Sequence, residues 1–394
     1  MSRKLALVMT SIIIMGILGV VLKVYRVEAS GTIYIRTNGS IDPLNVPIST
    51  IDNVTYIFTG NINDSVVIER SNIIIDGNGH TIQNKGSTDG FRLYSISNVT
   101  IKNTRIIGFA YSIHLFYSSN NTITGNNITE DQGTGIYLYS SSENNIYRNN
   151  ITGNLLYGIY LYSSSNNNVS GNNIENNGFD GVILRSSCNN IINGNNITAN
   201  YENGIFFDYS SNNNSISENN ITNNSRGIRI VSSNYNSIIE NNIAANTEDG
   251  IWLGGCQNKN SIIKNNVTNN NCGIRLLYSS NISFFHNNFV DNSQQAFIET
   301  PGYANFWDDG FPSGGNYWSD YTERYPNATE IYDSGIWNTP YVIDANNEDS
   351  YPIIPEFPQF MIVPLFMIAT LLTAIIYKVK CMQTEAKEMM IDAI

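Results

Sequence analysis

The sequence predicts an all-β fold: a right-handed parallel β-helix solenoid of about nine 23-residue coils, with N- and C-terminal caps and a C-terminal transmembrane helix. Three observations carry this expectation. A glycine followed by a β-branched residue recurs at Gly135-Ile136, Gly158-Ile159, Gly181-Val182, Gly204-Ile205, Gly227-Ile228, Gly250-Ile251 and Gly273-Ile274, each 23 residues after the last. An Asn-Asn-Ile phrase keeps the same beat, from Asn126-Asn127-Ile128 to Asn241-Asn242-Ile243, and continues as Asn265-Asn266-Val267 and Asn287-Asn288-Phe289. A third phrase runs through Asn121-Thr122-Ile123, Asn145-Ile146, Asn168-Val169, Asn214-Ser215-Ile216 and Asn260-Ser261-Ile262. Three short apolar-alternating segments per repeat, split by Asn/Ser/Gly turns, form one coil of a solenoid.

Taken in order, Arg3 and Lys4 precede an apolar run at residues 5–22, and Val27-Glu28-Ala29 offers small residues for cleavage; residues 1–29 therefore read as a signal peptide or signal anchor. Residues 30–71 hold alternating segments without the repeat and are assigned as the N-terminal cap that a solenoid needs over the end of its core. Residues 72–299 are the β-helix. Positions +1 and +3 after the repeat glycine are apolar (Ile136/Leu138, Ile159/Leu161, Ile228/Ile230, Ile274/Leu276), so strand alternation turns them inward. The corner asparagines are expected to form amide ladders from coil to coil.

Residues 300–355 leave the period and read as a C-terminal cap whose aromatics cover the open end. Residues 356–380 contain an 18-residue apolar run, 360–377, closed by Lys378 and Lys380, and are assigned as a transmembrane anchor; residues 381–394 become a cytoplasmic tail. The middle of the chain is thereby placed on the extracellular face of the membrane. About fifteen Asn-x-Ser/Thr sites, among them Asn53, Asn127 and Asn220, are possible glycan acceptors there.

Composition narrows the function. Charged residues make up 14% and the net charge is −12, so no basic face exists to neutralise nucleic-acid phosphates. Four cysteines are too few for a disulfide scaffold, and their repeat positions keep them apart as free thiols.

The coil phrases resemble a known family. The run from Gly158-Ile159-Tyr160-Leu161-Tyr162 to Asn167, the phrase Ser215-Ile216-Ser217-Glu218-Asn219-Asn220-Ile221-Thr222 and the closing segments Trp307 to Tyr321 and Thr339 to Asp344 are similar to NosD-like right-handed β-helix proteins of the archaeal surface-protein type. Pro355-Glu356-Phe357 resembles an archaeal C-terminal sorting signal. The family name implies copper delivery. Copper sites are built from clustered His, Met or Cys, whereas His80, His114 and His286 fall on separate rungs. Related sugar-binding and sugar-hydrolase β-helix proteins imply carbohydrate as the ligand, which makes a carbohydrate-binding or surface-structural role the first expectation. A polysaccharide lyase, hydrolase or epimerase is the alternative, and a copper-delivery accessory the third.

Two outward columns form the expected ligand-binding face. Tyr137, Tyr160, Phe206, Trp252 and Arg275 lie at +2 after the repeat position, and Tyr139 and Tyr162 at +4. Aromatic rings can stack on sugars, and arginines can grip uronate carboxylates; rings on a strand face also stack on one another and hold the sheet together. Asp208, Arg185 and Arg229 are the catalytic candidates, with Asp180 the nearest second carboxylate for hydrolysis. Asp208 between two guanidiniums reads more readily as a surface ion pair. No cofactor is required; Asp308, Asp309 and Asp320 supply hard oxygens for calcium, without the spacing of a known calcium loop.

Overall fold

In the computed structural model, residues 31–354 are described, apart from 85, 87 and 301. They form parallel β-solenoid coils of the right-handed type in two compact units, divided after Gly178. Each unit has the same three-sided section.

In the first unit, sheet A stacks Ile33–Ile35, Val66–Ile68, Asp89–Tyr94, Tyr111–Phe116, Thr134–Tyr139 and Ile159–Tyr162. Sheet B contains Thr122–Thr124 and Asn145–Tyr147, and sheet C contains Asn127–Thr129 and Asn150–Thr152. In the second unit, sheet A stacks Val182–Arg185, Asn203–Asp208, Arg226–Val231, Asp249–Gly254, Cys272–Leu277 and Gln294–Ile298. Repeats pair in strict register, with Ile136 opposite Ile159 and Ile228 opposite Ile251.

The described residues form about 11 coils, not the nine expected. The extra coils come from segments that lack the 23-residue beat. Val66–Ile68 pairs in parallel with Ile33–Ile35 and Asp89–Tyr94, and Tyr317–Trp318 pairs in parallel with Asn288–Val290. A ladder needs only an extended strand at the rung spacing, whereas a sequence period also needs constant corner lengths. The expected signal segment, transmembrane helix and tail lie outside the described residues; among the described residues no helix is long and apolar enough to cross a membrane.

The core is a stack of fully buried Ile, Leu, Val and Phe from all three sheets, such as Ile136, Ile146 and Ile151 in one coil. Each such side chain contributes about 1.5–3 kcal/mol by leaving water. The corners are closed by buried amides. Asn126 donates its backbone N–H and its Nδ2 to Asn149 Oδ1, at 3.0 and 3.1 Å, and Nδ2 also to the Ile101 carbonyl at 3.0 Å. Asn219 repeats the pattern on Asn241. One side chain thus satisfies a turn amide that the sheets leave over, and the ladder repeats because the coil does.

The repeat glycine is dictated by space. A Cβ on Gly204 would fall 2.6 Å from Ile221 Cγ2 and 2.8 Å from the Gly227 carbonyl oxygen, where the corner draws sheet C onto sheet A. At the C-terminal end Trp307 stacks on Phe284 and Trp318 on Phe289, with centroids 4.3 and 4.5 Å apart. Their indole N–H groups donate to Asn347 and Asp349, so the last core rings are covered without stranding a donor.

Candidate functional site

Strand alternation delivers the +2 and +4 side chains of sheet A to its outer face in both units. In the first unit the rings form two ladders. Tyr94, Phe116, Tyr139 and Tyr162 stack with centroids 5.4, 4.6 and 5.3 Å apart and planes within 18°. Beside them His114 and Tyr137 stack at 5.1 Å, Tyr160 follows tilted at 5.0 Å, and Tyr111 lies 5.1 Å from Tyr137. The ring faces are therefore spent on neighbouring rings. The surface offers edges and hydroxyls instead, and the Tyr137, Tyr139 and Tyr162 hydroxyls hydrogen-bond no other described residue. Burial among these rings raises the Tyr137 phenol, which stays neutral.

At one end of this face Asp89 Oδ2 meets His114 Nδ1 at 3.0 Å and Arg92 Nε at 3.9 Å. His114 Nε2 is buried without a hydrogen-bond partner beneath the flanking rings. An ionised Asp89 places the imidazole proton on Nδ1. A groove of about 860 Å³ in the first unit lies elsewhere, at the corner between sheets C and A, lined by Gln83, Asn84, Ile107, Ala110, Glu130 and Gln132. It contains none of the expected site residues.

The second unit carries a different column. Phe206, Arg229, Trp252, Arg275 and Phe297 occupy successive rungs, so rings and guanidiniums alternate. Arg229 Cζ lies 4.9 Å from the Phe206 centroid and 5.1 Å from that of Trp252; Arg275 Cζ lies 5.1 Å from that of Phe297. Asp249, its side chain only 2% exposed, accepts from Arg275 Nε at 2.7 Å and Arg226 Nε at 3.1 Å, and Arg226 also pairs with Glu248.

Of the catalytic candidates only Arg185 and Asp208 are brought into contact. Arg185 and Asp208 form an ion pair at 3.3 Å, with Arg185 5.0 Å over the Tyr209 ring. Asp180 is buried, and its Oδ1 accepts from the Asn203 backbone N–H and Nδ2. Burial pushes its carboxyl up to about 6, against the pull of those bonds. Among the described residues Asp208 and Asp180 share no hydrogen-bond or ion-pair partner.

The loop acids are also spent. Asp308 accepts from the Gly310 and Ser350 amides, Asp309 from the Ser313 hydroxyl and Asp320 from the Tyr341 hydroxyl. Among the described residues no three His, Cys, Asp or Glu side chains come close enough to hold a metal. The donor set does not fit copper either. His80 sits at a corner near Gly77, His114 is held by Asp89, His286 Nε2 lies 3.0 Å from the Ser313 carbonyl, and Cys256 and Cys272 are buried and free.

Asp89, Tyr111, Arg226 and Asp249 escaped the sequence reading. They belong to the residue before the repeat glycine, a column that simple alternation does not assign outward. Within the strand the glycine and the residue after it both face the core, and this break in alternation leaves the preceding side chain beside the +2 column, as Asp249 beside Arg275 shows. The recurrence of charge at that column, Asp89, Asp180, Arg226 and Asp249, was the available signal.

The fold and this outer face define a parallel β-helix repeat protein. The family model described as periplasmic copper-binding protein (NosD) matches residues 28–203, 155–256 and 179–323, and the chain belongs to that family. No curated protein matches it. Among solved structures it is similar to the A-module of mannuronan C-5 epimerase AlgE6 of Azotobacter vinelandii, at 16% identity and TM-score 0.48, covering 65% of this chain and 83% of that one. It is similar also to the periplasmic alginate epimerase AlgG, at 16% identity and TM-score 0.44 over 70% and 83% of the two chains. A third is DFA-IIIase of Arthrobacter chlorophenolicus without its lid, at 15% identity and TM-score 0.43 over 62% and 71%.

Proposed function

We propose that this chain is an exported protein held at the cell surface by the apolar run at 360–377, and that the outer face of sheet A holds polysaccharide. The two terminal apolar runs support export and anchoring. The observation that carries the ligand class is the double ring ladder of the first unit. Its Tyr139 and Tyr162 phenol hydroxyls, on adjacent rungs about 4.8 Å apart, are unspent. An extended pyranose polymer advances by a similar length per sugar, so successive sugars meet equivalent hydroxyls and ring edges. Each contact is weak; repetition on a rigid support makes them add as linked sites do.

The test is retention of the full chain on a panel of immobilised neutral and acidic polysaccharides. Tyr139→Ala and Tyr162→Ala are expected to lower retention several-fold while leaving the fold intact by circular dichroism. Wild-type protein that no polymer retains would overturn the reading.

A second reading, a lyase or epimerase, is favoured by one observation: the Asp89–His114 pair beside Tyr137 and Arg92. A carboxylate-oriented imidazole suits proton transfer, and an arginine suits the carboxylate of a uronate. The covering rings would have to shift for Nε2 to reach a substrate. Unsaturated or epimerised uronate product, lost in His114→Ala, would select this reading over simple binding.

A further inference from the structure

We infer that Arg229 is the recognition element of a carboxylate-binding subsite, so that the second unit selects acidic over neutral polysaccharide. The inference rests on the polysaccharide-binding reading and names the ligand class for a different part of the same face.

Arg229 differs from the other arginines of the column in what it has left to offer. Arg275 spends Nε on Asp249, and Arg226 is divided between Asp249 and Glu248. Arg229 makes no ion pair and no hydrogen bond among the described residues, yet its guanidinium is held on both sides, by Phe206 and Trp252. A planar cation fixed by its faces keeps its N–H donors in its own plane, half-exposed at the sheet surface. That is the geometry a carboxylate meets with two parallel hydrogen bonds. The rotamer entropy that a free surface arginine loses on binding is already lost here.

The acids around it do not compete in contact. Asp249 is neutralised between two arginines, Asp208 is paired with Arg185, and Glu299 acts on Arg275 from a distance. Asp180 acts on Arg229 only electrostatically, with Oδ1 committed to Asn203.

The strand is shaped to allow the sandwich. A Cβ on Gly254 would fall 2.2 Å from Trp252 Cη2 and 2.5 Å from Cζ3, so the indole lies across a position that the neighbouring strands fill with Val231 and Leu277. Gly254 gives Trp252 the room to lie beside the Arg229 rung.

Two probes test this with the full chain. Galacturonate monomer is titrated and followed by tryptophan fluorescence, with Trp252→Phe identifying the responding indole. Retention is then compared on polygalacturonate, dextran sulfate and neutral dextran. Arg229→Lys keeps the charge but loses the fork, and is expected to weaken galacturonate binding about tenfold or more, the worth of a charged hydrogen-bond pair. Gly254→Ala, which pushes aside only the end of the indole, is expected to weaken it in the same direction. Dextran retention should be unchanged in both variants, and a preference for dextran sulfate over polygalacturonate would overturn the carboxylate assignment. A galacturonate response that is absent, or equal in wild type and Arg229→Lys, overturns the subsite even if polymers are retained. A response lost in Arg229→Lys without retention of any polymer sustains the subsite and removes the polysaccharide reading instead.

Discussion

Asp131 is the one carboxylate in a column of corner amides, and replacing it by asparagine should stabilise the protein in a pH-dependent way. The column continues as Asn154 and Asn177. Asn154 donates Nδ2 to Asn177 Oδ1 at 2.9 Å, the bond that propagates the ladder. Asp131 accepts the Phe109 amide through Oδ1 at 2.9 Å, but its Oδ2 is buried without a partner, where an asparagine would carry a donor. Burial pushes the carboxyl up to about 7, against the pull of the Phe109 amide. A carboxyl whose folded pKa is raised destabilises the folded state when ionised. The penalty is therefore full above pH 7 and disappears as pH falls through 7 towards the unfolded value near 4. A carboxyl raised from the usual value near 4 to about 7 carries a penalty of about 4 kcal/mol, since each tenfold change in proton affinity is worth about 1.36 kcal/mol; local relaxation makes this an upper bound.

Asp131→Asn removes the penalty and restores the Nδ2 donor. It should gain about 2–4 kcal/mol at pH 8 and less than about 1 kcal/mol at pH 4. The assay is denaturant unfolding by circular dichroism at both pH values. Hydrogen exchange at the Phe109 amide serves as the local readout, because a repeat array can open coil by coil. Variant and wild type are compared at each pH, since Asp180 and Asp349, raised by burial to about 6 and about 7, titrate in both. A gain of equal size at pH 4 and pH 8, or a loss at pH 8, would refute the reasoning.

Two further outcomes are expected. Cys256 interrupts a buried serine column between Ser233 and Ser279, with Sγ 3.6 Å from the Ile230 and Gly254 carbonyls, whereas Ser279 Oγ reaches its carbonyls at 3.2 and 3.0 Å. Cys256→Ser should therefore raise unfolding stability by about 1 kcal/mol, one hydrogen bond's worth, and a loss would show that the site needs the volume of sulfur. Asp249→Ala strands Arg275 beside a buried gap and leaves Arg226 only Glu248, and should cost about 2–3 kcal/mol in the same assay, while Glu240→Ala, which breaks the exposed pair with Lys264, should cost under about 1 kcal/mol. Equal costs would mean that burial does not set the worth of these pairs.

The fold was legible because the same physics is written at every coil. Each inward isoleucine, each corner asparagine and each crowded glycine answers a local demand that recurs at the repeat length, so periodicity alone identified the architecture. The count of coils was less legible. Val66–Ile68 and Tyr317–Trp318 join the ladders from segments whose corners differ in length, and only pairing reveals them.

The outer face divides in the same way. The sequence by itself determined which residues point outward at +2 and +4, since strand alternation is fixed by the backbone. Only the tertiary structure decided what those residues do there. Tyr139 and Tyr162 give their faces to one another because the rung spacing matches ring stacking. Arg185 is taken by Asp208, and Arg275 by Asp249 from a column that alternation did not assign outward. Arg229, in the same column and of the same residue type, is left with its donors unspent. The physical reason is that contacts between rungs depend on side chains 23 residues apart reaching one another, and on a break in strand alternation at the repeat glycine that moves a third column into their path.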